Sequence, residues 1–362
     1  MDKREDFKYM KTFLNFIVIS FVYIIISKST MFPSGIPHSI QSWLLNPFKA
    51  YKLINKEKSE PIETPDSEVY LTLAESMSNN KRKTAYFLIV LESLGFTNDL
   101  QVNAFVRDLI EKEFAASIVN KKKYKLHRLP NDYRMFGTLG AELRYNCNIK
   151  SLSSLALFRS RKADLHSTKN CLPMIAARNN IETSYIHGNM SRFYHRDVIM
   201  PMIGYDYVYF NDYNGNWAER IIDCINKPFC SDDIESISRA KSIYLQFAEN
   251  IDDKTGIFVD ILSISSHGPY TQSSNLIESY KEVAIDSIKE FSGLISLITS
   301  PGTGIDSFIV ITSDHGPYLA KPSSGIDSSE DTEKINFVYA IHARPTDASS
   351  IKRNHALNST VE

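Results

Sequence analysis

The sequence predicts an α/β fold, a mostly parallel sheet flanked by helices, with one N-terminal transmembrane helix ahead of it. Three observations lead there. Short runs such as TAYFLIVLE (84–92) are apolar without alternation, as strands covered on both faces are. Stretches with apolar residues at helical spacing lie between such runs, and strands alternating with helices build parallel sheets from βαβ units. Near the N-terminus, TFLNFIVISFVYIIIS is an uncharged run of sixteen residues.

That run is short for a bilayer span, which needs about 17–25 residues, but Lys28 can snorkel and extend it to Phe32. It is apolar all round rather than striped, which disfavours a soluble helix, and SKSTMFPSG behind it offers no small-x-small cleavage site. Lys3, Arg4, Lys8 and Lys11 precede it, so the positive-inside rule predicts a cytoplasmic tail (1–11), a transmembrane anchor (12–32) and an extracytoplasmic body at the cell membrane. Residues 33–82 carry five prolines and mixed charge, and read as a juxtamembrane stalk with room for one short helix in SEVYLTLAESM. The domain proper runs over 83–362. TAYFLIVLE is its first strand; NAFVRDLIEKEFAASIV and LGAELRYNC are helical patterns. GIFVDILSIS and DSFIVITS are two more buried strands, separated by the helical SNLIESYKEVAIDSIKEFSGLISLI.

Composition narrows the partners. A formal net charge of −1, without a basic stripe interleaved with aromatics, gives no reason to expect nucleic acid. The basic NKKKYKLHR (120–128) reads as a solvated loop or helix face. Cys147 and Cys171 flank one modest segment, Cys224 and Cys230 another, and none has the C-x-x-C spacing of a zinc site. Two disulfides fit an exported body.

Three strands end in polar clusters: Glu92-Ser93, Ser265-Ser266-His267-Gly268 and Asp314-His315-Gly316. Ligands of parallel α/β sheets bind outside the carboxyl ends of the strands, so the site is expected there. Carboxylates and imidazole suit a divalent metal such as Mn²⁺ or Zn²⁺. Thr138, in FGTLGAELRY, sits at the start of a helical stretch. There it is either an N-cap or a hydroxyl near a helix dipole and metal, activated as a nucleophile.

LIVLESLGF, GTLGAELRY, IHGNMSRFYHRDVIMPMIGYD, SISSHGPY and ITSDHGPY occur in the order seen in the sulfatase-like branch of the alkaline phosphatase superfamily. The set most resembles lipoteichoic acid synthase and related membrane-bound phosphoglycerol transferases. The resemblance implies that Glu92, Thr138, Asp314 and His315 hold one divalent metal, Mn²⁺ first, with Zn²⁺ or Mg²⁺ as alternatives. It implies that Thr138 is the nucleophile, that His267 stands near the substrate phosphate, and that His187, Tyr194 and Arg196 grip the phosphoglycerol, with tyrosine where tryptophan is common. His127, His166 and His195 are bystanders. The implied partners are a phospholipid donor in the bilayer and a surface glycan or glycerophosphate acceptor. A phosphoethanolamine transferase, a hydrolase of the same fold and an anchored binding domain with a vestigial site are the alternatives. No cysteine lies in the C/S-x-P-x-R signature of a sulfatase. The family's VDxxPTxL segment falls about where NSTVE ends the chain.

Overall fold

In the computed structural model the described residues run from 64 to 343, apart from 80–81, 98, 134–136, 161–162, 164, 212–232, 250–253, 267–274, 318 and 320–334. The elements in chain order are α1 (Glu68–Asn79), β1 (Thr84–Leu91), α2 (Leu100–Ser117), β2 (Tyr124–Arg128), β3 (Asp132–Tyr133) and α3 (Gly137–Cys147). Then come α4 (Leu152–Arg159), α5 (Leu165–Thr168), α6 (Leu172–Arg178), β4 (Ile181–His187), α7 (Arg196–Met202) and β5 (Tyr207–Phe210). The last are α8 (Asp233–Glu249), β6 (Gly256–Leu262), α9 (Leu276–Ile298), β7 (Asp306–Ser313), β8 (Ile335–Asn336) and β9 (Val338–Ala343).

Among the described residues the main sheet has seven strands in the order β2-β9-β7-β1-β6-β4-β5. The five strands from β7 to β5 run parallel, and β9 and β2 close one side antiparallel. Tyr124 to Arg128 of the basic run are therefore strand β2, not a loop or helix face, because they pair with β9. Strand β1 explains the unbroken apolar run. Phe87, Ile89 and Leu91 enter the core shared with α2, α8 and α9, while Tyr86, Leu88 and Val90 enter the core shared with α1, α3 and α6. Both faces are covered, so neither residue parity needs to be polar.

Register places the site. Val90 pairs with Leu262 and with Thr312, and Leu262 with His187. Glu92 and Asp314 each lie two residues beyond this row, at the carboxyl edge.

The stalk is shorter than the sequence reading made it. A compact unit begins at Ile62, and α1 belongs to it: Val69, Leu73 and Met77, spaced four apart, are buried against the second core. The short helix expected in SEVYLTLAESM is present, and its three-residue apolar face, outweighed in the sequence by the surrounding prolines and charges, packs into the domain. The boundary at residue 82 moves accordingly. The anchor (12–32) and tail (1–11) lie outside the described residues, and no described helix is long and apolar enough to cross a membrane. Cys147 and Cys171 form a disulfide; Cys224 and Cys230 lie outside the described residues.

Candidate metal centre and active site

Glu92, Asp314 and His315 converge as expected. One ligand atom of each lies within 4.8 Å of the others, and all three side chains are buried. Their loops are locked together. Ser93, in the left-handed region at φ 60°, donates its N–H to Asp314 Oδ1 at 2.9 Å, and the His315 N–H donates to the same oxygen at 2.8 Å. The Glu92 N–H donates to Ser263 Oγ at 2.7 Å, and the Ser266 hydroxyl donates to the Glu92 carbonyl. Asn336 Nδ2 donates to the carbonyls of Ser313 and Asp314.

Three features show that these residues fit a divalent cation. Asp314 Oδ2 is buried without a hydrogen bond, which is costly unless a cation takes it. The carboxyl of Glu92 is pushed well up by burial and then by Asp314, a cost that a cation beside it would offset. His315 Nδ1 lies 2.8 Å from the Gly316 carbonyl; that oxygen only accepts, so Nδ1 carries the hydrogen. Nε2 then faces Asp314 Oδ2 at 3.3 Å, the tautomer and orientation of a metal-ligating histidine.

Thr138 is buried in the first turn of α3, a helix whose residues from Thr138 to Asn146 are all buried. Polar side chains bind this helix to the sheet. Asn146 Nδ2 donates to Asp260 Oδ2 in mid-strand at 2.8 Å. The Tyr145 hydroxyl donates to the Ser313 carbonyl, next to Asp314, at 2.5 Å. One turn back, Glu142 meets Tyr185, the register partner of Asp260 on β4, and Arg196 beyond the end of that strand. Thr138 stands one turn before Glu142 on the same helix.

The proposed substrate residues have different surroundings. His187 ends β4, buried, with Nδ1 3.2 Å from the Leu262 carbonyl. Arg196 is buried in an ion pair with Glu142, Nη2 to Oε2 at 2.7 Å. Burial works against its charge, but Glu142 more than offsets this and raises the pKa. Tyr194 is 43% exposed, and its ring lies against the Arg196 guanidinium, 5.3 Å from the centroid. Tyr194 and His195 are both left-handed, at φ 58° and 59°. His267 lies outside the described residues. His127 stacks on His342 at the β2–β9 edge, and nothing described concerns the His166 side chain.

The sequence reading missed Glu142, Tyr145, Tyr185 and the buried Asp260. Glu142 and Tyr145 stand four and seven residues after Thr138, on one helical face with it, which is the signal that could have found them. Burial pushes the carboxyl of Asp260 up to about 7, against hydrogen bonds from Tyr205 and Asn146.

No family model matches the chain, and no curated protein does. Solved structures do. A protein in the alkaline phosphatase superfamily from Vibrio parahaemolyticus matches over 78% of this chain and 70% of its own, at a TM-score of 0.50 and 13% identity. The zinc complex of the C-terminal periplasmic domain of EcEptC from Escherichia coli matches over 78% and 76%, at 0.49 and 12%. The lipoteichoic acid synthase LtaP from Listeria monocytogenes matches over 75% and 71%, at 0.48 and 16%. The fold is that of the alkaline phosphatase superfamily, as the order of the motifs implied.

Proposed function

We propose, with that fold as premise, that this chain is a metal-dependent phosphotransferase. It would move a phosphoglycerol-type head group from a membrane lipid to a surface glycan or glycerophosphate polymer. The observation that carries the reading is the buried Glu92–Asp314–His315 cluster with its unbonded carboxylate oxygen, at the strand ends of this fold. Glu92, Asp314 and His315 would hold the cation, Mn²⁺ first, with Thr138 as the fourth ligand implied by the motif. Such a cation neutralises charge on the phosphoryl oxygens and lowers the pKa of a hydroxyl beside it.

The chain's own residues supply the rest. The first turn of α3 sets Thr138 where backbone N–H groups favour an anion. Thr138 gives up its hydroxyl proton as Oγ forms a bond to phosphorus and the phosphorus–oxygen bond to the diacylglycerol breaks, and the released alkoxide takes up a proton in turn. An acceptor hydroxyl then forms its bond to phosphorus, gives up its proton and frees Thr138. Arg196 holds phosphoglycerol oxygens through N–H groups not taken by Glu142, beside His187 and Tyr194. The IHGNMSRFYHR segment favours phosphoglycerol over phosphoethanolamine. The apolar run 12–27 and the Cys147–Cys171 disulfide support a single-pass membrane protein with an extracytoplasmic catalytic domain.

The test is mass spectrometry of the Thr138 peptide after incubation with Mn²⁺ and either phosphatidylglycerol or phosphatidylethanolamine. A glycerophosphoryl adduct is expected; a phosphoethanolamine adduct redirects the donor. No adduct, with Thr138→Ala turning over phosphodiesters like the wild type, rejects the reading.

A further inference from the structure

Glu142 lies outside the metal cluster, yet three parts of the site meet on it. It stands one turn after Thr138 on α3. Tyr185 of β4, two residues before His187, donates its hydroxyl to Glu142 Oε1 at 2.5 Å. Arg196 opens α7 and donates from Nε and Nη2 to Glu142 Oε2 at 3.0 and 2.7 Å. All three side chains are within 2% of full burial. A buried carboxylate needs such partners, and here they come from three separate elements.

The pair also constrains the turn beside it. Tyr194 and His195 are consecutive left-handed residues without glycine, a conformation that persists only where surrounding contacts over-determine it. Arg196 follows directly, and its Nη1 donates back to the Phe193 carbonyl at 3.4 Å. Of the five N–H groups of a guanidinium, the contacts to Glu142 and Phe193 occupy three, so at most two remain for a ligand.

We propose that Glu142 is a positioning residue. It fixes the direction of Arg196 and holds the 188–196 turn against α3, so that the remaining guanidinium N–H groups and Thr138 address one phosphodiester. The proposal rests on the phosphotransferase reading for its substrate but not for its mechanics. Removing the carboxylate frees a buried guanidinium to rotate, and a misplacement of about 1 Å near a reacting group costs about a hundredfold in rate.

The experiment uses the full chain with Glu142→Gln, Glu142→Asp, Arg196→Gln and the Glu142→Gln/Arg196→Gln double variant. Hydrogen exchange without substrate is compared with kcat/KM on phosphatidylglycerol. Glu142→Gln keeps the volume and is expected to speed exchange in 188–202 while the sheet strands stay protected. It should lower kcat/KM about a hundredfold, with partial recovery in Glu142→Asp. The double variant should be no slower than Arg196→Gln, because both changes remove one interaction. Losses that multiply, or unchanged exchange in 188–202, overturn the proposal. If the wild type forms no Thr138 adduct and turns over no phosphodiester, the functional reading falls; the exchange data then decide the positioning role alone.

Discussion

Replacing Gly95 by alanine should empty the metal centre while leaving the fold intact. Gly95 donates its N–H to the His315 carbonyl at 2.8 Å, which brings two backbones together at the strand ends. A Cβ there would sit 2.7 Å from the His315 carbonyl carbon and 2.8 Å from its oxygen, and would also meet Asn336 Oδ1. Ordinary contact begins near 3.4 Å, so the His315 backbone must retreat by about 0.6–0.7 Å. Gly95 is not in the left-handed region, so alanine brings a clash and no dihedral strain. Overpacking of this kind costs about 1–3 kcal/mol, less than the roughly 5–15 kcal/mol that holds a domain folded. A metal site tolerates only about ±0.2 Å in its ligand distances, so ligation fails first. Metal content by elemental analysis after dialysis against Mn²⁺, with phosphodiester turnover, measures this. Gly293→Ala in α9 is the control: its Cβ would meet only Lys241 Nζ at 3.7 Å, and the helix should gain about 1 kcal/mol. Wild-type metal content and turnover in a folded Gly95→Ala protein would refute the reasoning.

The other predictions concern stability. Asp260 is held near 7 in the fold and titrates near 3.8 when unfolded, so its protonated form favours the folded state. That contribution is complete below about pH 4 and is lost as the pH rises to about 7; Asp260→Asn should therefore exceed the wild type by about 2–4 kcal/mol at pH 8 and flatten the slope in between. Parallel curves of urea-derived stability against pH would contradict this. Asp132 accepts from Arg144 Nε and Nη2 at 3.0 and 2.8 Å with both side chains fully buried, so Asp132→Ala strands a buried charge and should cost about 3–5 kcal/mol. A urea midpoint shift equivalent to less than about 1 kcal/mol would show that Thr64 and Pro65, which also accept from Arg144, suffice. Cys147→Ser opens a loop closed over a separation of 24 residues and should cost about 3 kcal/mol, an amount a reductant should remove from the wild type and not from the variant.

Where side-chain chemistry repeats along the chain, the sequence was enough. The two-sided burial of β1, β6 and β7 makes their runs largely apolar, with Asp260 the exception inside β6, so these strands and helices α2 and α9 were legible to within a few residues. The polar residues that end β1 and β7 likewise marked Glu92, Asp314 and His315, because an acid or imidazole straight after a buried strand has few places to go. Strand β4 was not legible as a strand: IETSYIH buries Thr183 and Ser184, and Thr183 is satisfied by Asp206, a partner invisible in composition. Helix α1 was legible as a short helix, but its packing into the domain was hidden among prolines and charges. The same limit applied to the site. The motif resemblance singled out Arg196, but its buried ion pair with Glu142 joins residues 54 apart in the chain. So too the closeness of Glu92 to Asp314, 222 positions away, depends on β1 lying beside β7 in register. Periodicity and strand-end polarity are local properties, and the sequence determined those by itself. Which buried charge meets which depends on strand order and on the desolvation each pair must offset, and only the tertiary structure decided it.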